Sequence, residues 1–247
     1  MQHPAKGDTA VTKAEVLASI EGIGILPAVR VATADEAHFA VEAVASGGIP
    51  LVEITMTVPG AVELIAHLMK CLPNIIVGAG TVLDAETARR CVDAGASFLT
   101  MTGFFPAVME LATKQSLAVL PGALTPTEVV NAWHAGGDLI KVFPCAQVGG
   151  DVYIRTLKRC FPQIPLIAAG GVTQHTAEDM ILAGAAAIGV GTAVIPTEAI
   201  ANRQRNRIRE LARRFIKAVK DARARLVPEE PIEGAAELAP HGPATKK

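Results

Sequence analysis

Short apolar runs alternate with stretches of helical periodicity along most of the chain. The runs are Ile25–Arg30, Ile49–Ile54, Ile75–Ala79, Ser97–Met101, Leu117–Leu120, Asp138–Val142, Pro165–Ala169 and Ala186–Val190. They recur every 20–27 residues, the spacing expected when each strand is followed by one helix. Helix-start signals follow most of them, at Thr33-Ala-Asp-Glu36, Asp84-Ala-Glu86, Thr125-Pro-Thr-Glu128 and Thr173 to Glu178. Glycines placed as helix C-caps precede the next run at Ser46-Gly-Gly48, Ala94-Gly-Ala96, Ala135-Gly-Gly137 and Ala183-Gly-Ala185. Strict alternation of β and α argues for a parallel sheet. Eight repeats favour closure into a (β/α)₈ barrel over an open doubly wound sheet.

One more amphipathic helix precedes the first run, opened by a capping box at Thr12-Lys-Ala-Glu15. The expected organisation is a flexible N-terminus (1–10), a single barrel domain with this extra N-terminal helix (11–226) and a flexible, Pro-rich tail (227–247).

Composition narrows the function. Half the residues are hydrophobic but only 4% are aromatic, so Val, Ile, Leu and Ala must fill the core. A net charge of −1 gives no general field to attract nucleic acid or an anionic membrane, and any anion site must be local. Cys71, Cys91, Cys145 and Cys160 have no CxxC or metal-ligand spacing and are read as free thiols in a reducing compartment. The N-terminus lacks a signal-peptide core. The most apolar stretch, Ala183 to Pro196, is too short and too Gly-broken to span a bilayer. A cytoplasmic protein with a small-molecule substrate, and neither nucleic-acid nor membrane partners, is expected.

Charges where a barrel should be apolar give the chemistry. Active sites of such barrels lie at the C-terminal ends of the strands. Near that end the first run carries Arg30, the second Glu53 and the sixth Lys141. Each follows an aliphatic neighbour that would face the helices, so the charge takes the inner face. Each alone could be a structural ion pair or a snorkelling side chain. Together at one mouth they point to function, since buried charges without a task usually cost stability. A lysine amine among Leu139, Ile140, Val142 and Phe143 can, in its neutral form, attack a ketone and form an iminium, an electron sink for a carbanion. Glu53 is the candidate general acid/base, and Arg30 offers a planar fork for a carboxylate.

A second anion site is expected after the seventh and eighth runs. Ala168-Ala-Gly170-Gly171-Val-Thr173 and Ile188-Gly189-Val-Gly191-Thr192 read as Gly-rich turns leading to helix N-termini, whose backbone N–H groups would cradle a phosphate. Tight turns alone would also account for these glycines. Cys145 has no histidine partner nearby, and His38, His67, His134 and His175 fall in helix-like segments as surface or packing residues. The Arg203–Arg209 run reads as a solvated helix face.

Several motifs carry a family resemblance: Val52-Glu-Ile-Thr-Met-Thr57, Val77-Gly-Ala-Gly-Thr-Val82, Leu120-Pro-Gly-Ala-Leu-Thr-Pro-Thr-Glu128, Ile140-Lys-Val-Phe-Pro144, Ala169-Gly-Gly-Val-Thr173 and Gly189-Val-Gly-Thr192. In order and register, from about Ile20 to Arg225, the chain resembles the 2-keto-3-deoxy-6-phosphogluconate (KDPG) and 4-hydroxy-2-oxoglutarate (KHG) aldolases, a family that includes 2-dehydro-3-deoxy-6-phosphogalactonate aldolases. The resemblance implies a homotrimeric class I aldolase that needs no metal or other cofactor and releases pyruvate and an aldehyde. It implies Lys141 as the Schiff-base lysine and Glu53 as the acid/base. It places Thr81 and Phe143 at the pyruvate pocket and Gly170, Gly171, Gly191 and Thr192 at the phosphate. Some members carry an arginine where this chain has Thr57, and others end the first strand in one, as Arg30 does here. The fourth strand's turn often reads Ser-Pro in the family, against Met101-Thr102-Gly103 here. The leading expectation is an aldolase for KDPG or a close phosphorylated 2-keto-3-deoxy sugar acid. Alternatives are a 4-hydroxy-2-oxoglutarate or 2-dehydro-3-deoxy-6-phosphogalactonate aldolase, a phosphate-binding epimerase or isomerase barrel, and a catalytically silent trimeric module.

Overall fold

Each apolar run forms a strand, and the periodic stretches between them form helices, in a computed structural model that describes residues 11–226. The expected flexible segments 1–10 and 227–247 lie outside the described residues. In chain order the elements are α1 (Lys13–Ile23), β1 (Ile25–Val29), α2 (Ala34–Ser46), β2 (Leu51–Thr55), α3 (Ala61–Cys71), β3 (Ile76–Gly80) and α4 (Ala85–Asp93). There follow β4 (Phe98–Thr100), α5 (Pro106–Lys114), β5 (Ala118–Leu120), β6 (Gly122–Ala123), α6 (Pro126–His134) and β7 (Ile140–Val142). The chain continues through a 3₁₀ turn (Ala146–Val148), α7 (Asp151–Cys160), β8 (Leu166–Ala169), α8 (Ala177–Leu182), β9 (Ala187–Val190), α9 (Thr197–Ala201) and α10 (Arg205–Arg225).

The helix starts follow local chemistry. Thr12 with Glu15, Thr33 with Glu36 and Thr125 with Glu128 form reciprocal capping boxes. Asp84 caps α4 by accepting from the Thr87 N–H at 2.8 Å. Of the four histidines placed in helix-like segments, His175 instead occupies the turn before α8, where the chain takes turn geometry from Gln174 to Thr176.

All strand pairs are parallel, in the order β5-β4-β3-β2-β1-β9-β8-β7-β6. Only Pro121, which has no N–H to donate, separates β5 from β6. The segment is bonded on both flanks: Leu120 is in register with Thr100, and Gly122 with Lys141. The Asp138 N–H donates to Val119 O at 2.9 Å and the Lys141 N–H to Pro121 O at 2.8 Å. β5 and β6 therefore act as one stave, and the sheet closes into an eight-staved barrel.

Helix α1 closes the barrel's N-terminal end. It contacts β1, β5 and β9, buries Val16 and Ile20, and ties Lys13 to Asp138 at 2.7 Å. The long α10 packs against α2 and α8 on the outside. Its arginine-rich start is a solvated face, with Arg203 paired to Asp35, Arg205 to Glu42 and Arg207 to Glu198.

Residues in parallel register share a face, so Ala28, Glu53 and Gly78 form one interior tier, and Gly122, Lys141 and Ile167 belong to another. Above Ile76, the interior-facing positions of strand β3 are both glycine, Gly78 and Gly80. A Cβ at Gly78 would lie 2.2 Å from the Phe98 ring, and one at Gly80 2.0 Å from the Glu53 carboxylate. Neighbouring side chains occupy the space that β3 leaves empty. Gly78→Ala should therefore force the buried Phe98 ring out of place and cost about 1–3 kcal/mol, read as a lowered urea midpoint at unchanged m-value.

Candidate active site

Strands β2 and β7 face each other across the barrel, separated by β3, β4 and the β5/β6 stave on one side and by β1, β9 and β8 on the other. Glu53 reaches inward from the middle of β2 and Lys141 from the middle of β7. They meet with Lys141 Nζ 3.1 Å from Glu53 Oε2 and 3.4 Å from Oε1. Only 2% of Glu53 and 5% of Lys141 remains exposed, so each charge depends on the other for compensation. Gly80 makes the meeting possible, because any side chain there would occupy the position of the glutamate's carboxylate.

A third group completes the contact. Thr100 on β4 is fully buried, and its Oγ1 lies 3.4 Å from Lys141 Nζ. Sequence reasoning misses this threonine because a lone Thr in a β-strand is unremarkable by composition. The available signal is its inward parity, one residue before the turn at Met101-Thr102-Gly103.

Above the pair opens a cavity of about 430 Å³, within the usual range for small-molecule sites. Arg30, Glu53, Lys141, Phe143, Gly170, Gly171, Gly191 and Thr192 all line it, so eight of the nine site residues expected from sequence share one space. Ala28, Thr102, Thr173 and Ala193 line it too. Thr81 does not, lying one residue past β3 with a positive φ of 58° and a buried hydroxyl that has no partner among the described residues.

Two expectations need correction. Arg30 is not a buried charge: it follows the last residue of β1, is exposed, and forms no ion pair among the described residues. Its position is set indirectly. The Thr55 hydroxyl donates to Val29 O at 3.0 Å, and the Thr57 hydroxyl, 2.7 Å from Thr55 Oγ1, must then donate to that oxygen. Threonines 55 and 57 thus hold the end of β1 from which Arg30 projects.

The Gly-rich turns also do not open directly onto helix N-termini. α8 and α9 begin at Ala177 and Thr197, several residues beyond the glycines, and have only six and five residues. The polar surface here comes from the turns themselves. Gly170 and Gly171 have φ of 83° and 85°, and the N–H groups of Gly171, Thr192 and Ala193 donate to no acceptor among the described residues. A Cβ at Gly170 would meet Pro144 and Phe143, and one at Gly171 would meet Ala146, so both positions require glycine on two grounds.

Cys145 sits beneath these turns without lining the cavity. Burial pushes its thiol up to about 11, which leaves it protonated at neutral pH and without a nucleophile's character.

Residues 16–211 match the family described as KDPG and KHG aldolase. The chain is 30% identical over 213 residues to the 2-dehydro-3-deoxy-6-phosphogalactonate aldolase of Escherichia coli K12, with 85% of this chain and 97% of that one covered. It superimposes with a TM-score of 0.74 and 27% identity on a KDPG aldolase from Legionella pneumophila, crystallised with pyruvate captured at low pH as a covalent carbinolamine intermediate; the match covers 82% of this chain and 97% of that one. It also matches a cube-shaped, highly porous cage designed by fusing symmetric oligomeric domains, with a TM-score of 0.75, 29% identity, and coverage of 81% and 73%. A match that runs unbroken from α1 into α10 leaves no strand or helix of the barrel outside it, and the chain belongs to the KDPG and KHG aldolase family of carbon–carbon lyases.

Proposed function

We propose that Lys141 forms a Schiff base with the C2 ketone of a phosphorylated 2-keto-3-deoxy sugar acid and that the enzyme releases pyruvate and an aldehyde phosphate, the KDPG reaction yielding glyceraldehyde 3-phosphate. The observation that carries this reading is the buried lysine nitrogen 3.1 Å from a carboxylate at the floor of a cavity. The neutral amine attacks C2 to give a carbinolamine, and loss of water gives the iminium. Glu53 is placed to carry the protons of both steps. With the iminium drawing electrons from the C3–C4 bond, a base removes the C4 hydroxyl proton, the bond breaks, and the pair becomes an enamine. Protonation at C3 and hydrolysis return pyruvate and the free lysine.

The remaining groups divide the substrate between them. Arg30 takes the carboxylate through its guanidinium fork. Phe143 bounds the pyruvate side, and Thr81, set back from the cavity wall, backs that side with a buried hydroxyl that has no partner among the described residues. The turn N–H groups at Gly171, Thr192 and Ala193, with Gly170 and Gly191, receive the phosphate. No metal is required, since the iminium supplies the electron sink. No helix among the described residues is long and apolar enough to cross a membrane. We further read the chain as cytoplasmic and as a homotrimer, the oligomeric reading supported by its likeness to a cage designed by fusing symmetric oligomeric domains.

Borohydride reduction in the presence of pyruvate should add one pyruvate-derived group, located on Lys141 by peptide mass spectrometry. Absence of the adduct from folded protein would remove the proposal. Lys141→Met should lose the adduct and on the order of 10⁴ or more in kcat/KM. Its melting temperature should also fall, because Glu53 is left buried without a partner, and should recover in a Lys141→Met/Glu53→Leu double variant.

For Thr100→Val, expected to fold normally, kcat should fall about three- to tenfold with KM little changed, and Thr100→Ser should restore it. Equal kcat in Thr100→Val and the parent would show that the hydroxyl does not position the amine. Dephosphorylated substrate should show lower kcat/KM than the phosphorylated form. Equal values would instead favour an unphosphorylated 4-hydroxy-2-oxoglutarate-type substrate.

A further inference from the structure

Away from the barrel mouth, α2 and α3 bring together two histidines that the sequence reads as surface or packing residues and a cysteine that it reads as a free thiol. His38 projects from α2, while His67 and Cys71 lie four residues apart on one face of α3. Cys71 Sγ is 3.8 Å from His38 Nε2, and one ligand atom from each of the three residues lies within 4.8 Å of the other two. The two imidazole rings meet edge to face with centroids 5.4 Å apart. His67 and Cys71 are exposed and His38 is partly so, and the two histidines border a surface recess of about 390 Å³.

We propose that His38, His67 and Cys71 form a binding site for a zinc-class divalent cation that clips α2 to α3. The donor set decides the ion. One thiolate and two imidazoles suit a borderline-soft metal, whereas magnesium and calcium require oxygen ligands. Ligands bonded at the usual Zn–N and Zn–S distances of about 2.0–2.3 Å around a tetrahedral ion stand roughly 3.3–3.8 Å apart, so these three groups need only converge by side-chain rotation.

Binding replaces the Cys71 S–H bond with an S–metal bond and releases that proton to solvent. The same thiol now donates to the His67 carbonyl at 3.1 Å, a contact given up when the thiolate turns to the metal. Asp35 and Glu63 border the same recess, but their carboxylates do not fall within the 4.8 Å group that the three donors form. Water therefore fills the fourth position. None of the three ligands lines the cavity that holds Lys141, so the metal acts on the outer helix layer and takes no part in the aldol chemistry. Because it binds the folded arrangement of two helices, it raises resistance to unfolding in proportion to its free concentration.

The test uses the full chain, stripped of metal and titrated with Zn²⁺ by calorimetry and with Co²⁺ by absorption spectroscopy. The expected result is a thiolate-to-cobalt charge-transfer band in the near ultraviolet, and a melting temperature that rises with added Zn²⁺. Cys71→Ser should abolish the band, His38→Ala and His67→Ala should each weaken Zn²⁺ binding roughly 100-fold or more, and all three should lose the thermal shift. All three residues sit on the surface, so circular dichroism should show each variant folded. Parent protein without a charge-transfer band, or binding and thermal shift that persist in Cys71→Ser and His67→Ala, would overturn the site. Metal-free protein should keep full aldol activity, so this outcome and that of the borohydride experiment stand apart.

Discussion

The ion pair between Glu53 and Lys141 constrains the rest of this barrel. Two opposite charges have been withdrawn from water and placed at the middle of an apolar interior, where either alone would be costly. Their union requires opposite staves, two long side chains and an empty space beside the glutamate. Residues outside the pair meet the first and the last of these conditions. Gly80 leaves the space for the carboxylate, Gly78 admits the Phe98 ring below it, and the divided stave at Pro121 accepts the Lys141 N–H that holds the lysine's strand in register. The pair is therefore a product of the fold as much as a tool within it.

Much of this is legible in the sequence. Strand spacing points to the barrel, and the Thr-x-x-Glu capping boxes mark helix starts because they depend on neighbours three residues apart. Glu53 and Lys141 stand out because a charge inside an apolar strand is costly to keep unless it has a partner or a task. Contacts between distant segments are less accessible. Thr100 is chemically ordinary and gains meaning only from the lysine reaching it from β7. The same holds for His38, which joins His67 and Cys71 only because α2 and α3 lie side by side.

Arg30 and the phosphate turns show where residue type reads correctly from the sequence and environment does not. Position along an apolar run suggests burial, but the arginine falls just beyond the last strand residue, where the chain reaches solvent. Its exposure suits a group that must meet an incoming anion without first being desolvated at the protein's cost. The turns likewise present backbone N–H groups at the mouth without a helix end behind them, so the anion site proposed there would rest on chain direction and glycine geometry, not on a macrodipole.

The glycine at the mouth end of β3 has an evolutionary consequence. Positions 53 and 80 share one volume, since the carboxylate lies where a methyl group on residue 80 would be. A lineage cannot enlarge residue 80 while keeping a glutamate across from the lysine, nor shorten residue 53 without opening a hollow against β3. The two sites must drift as a linked pair, and a barrel of this kind that has lost its glycine at 80 should be suspected of having lost its catalysis as well.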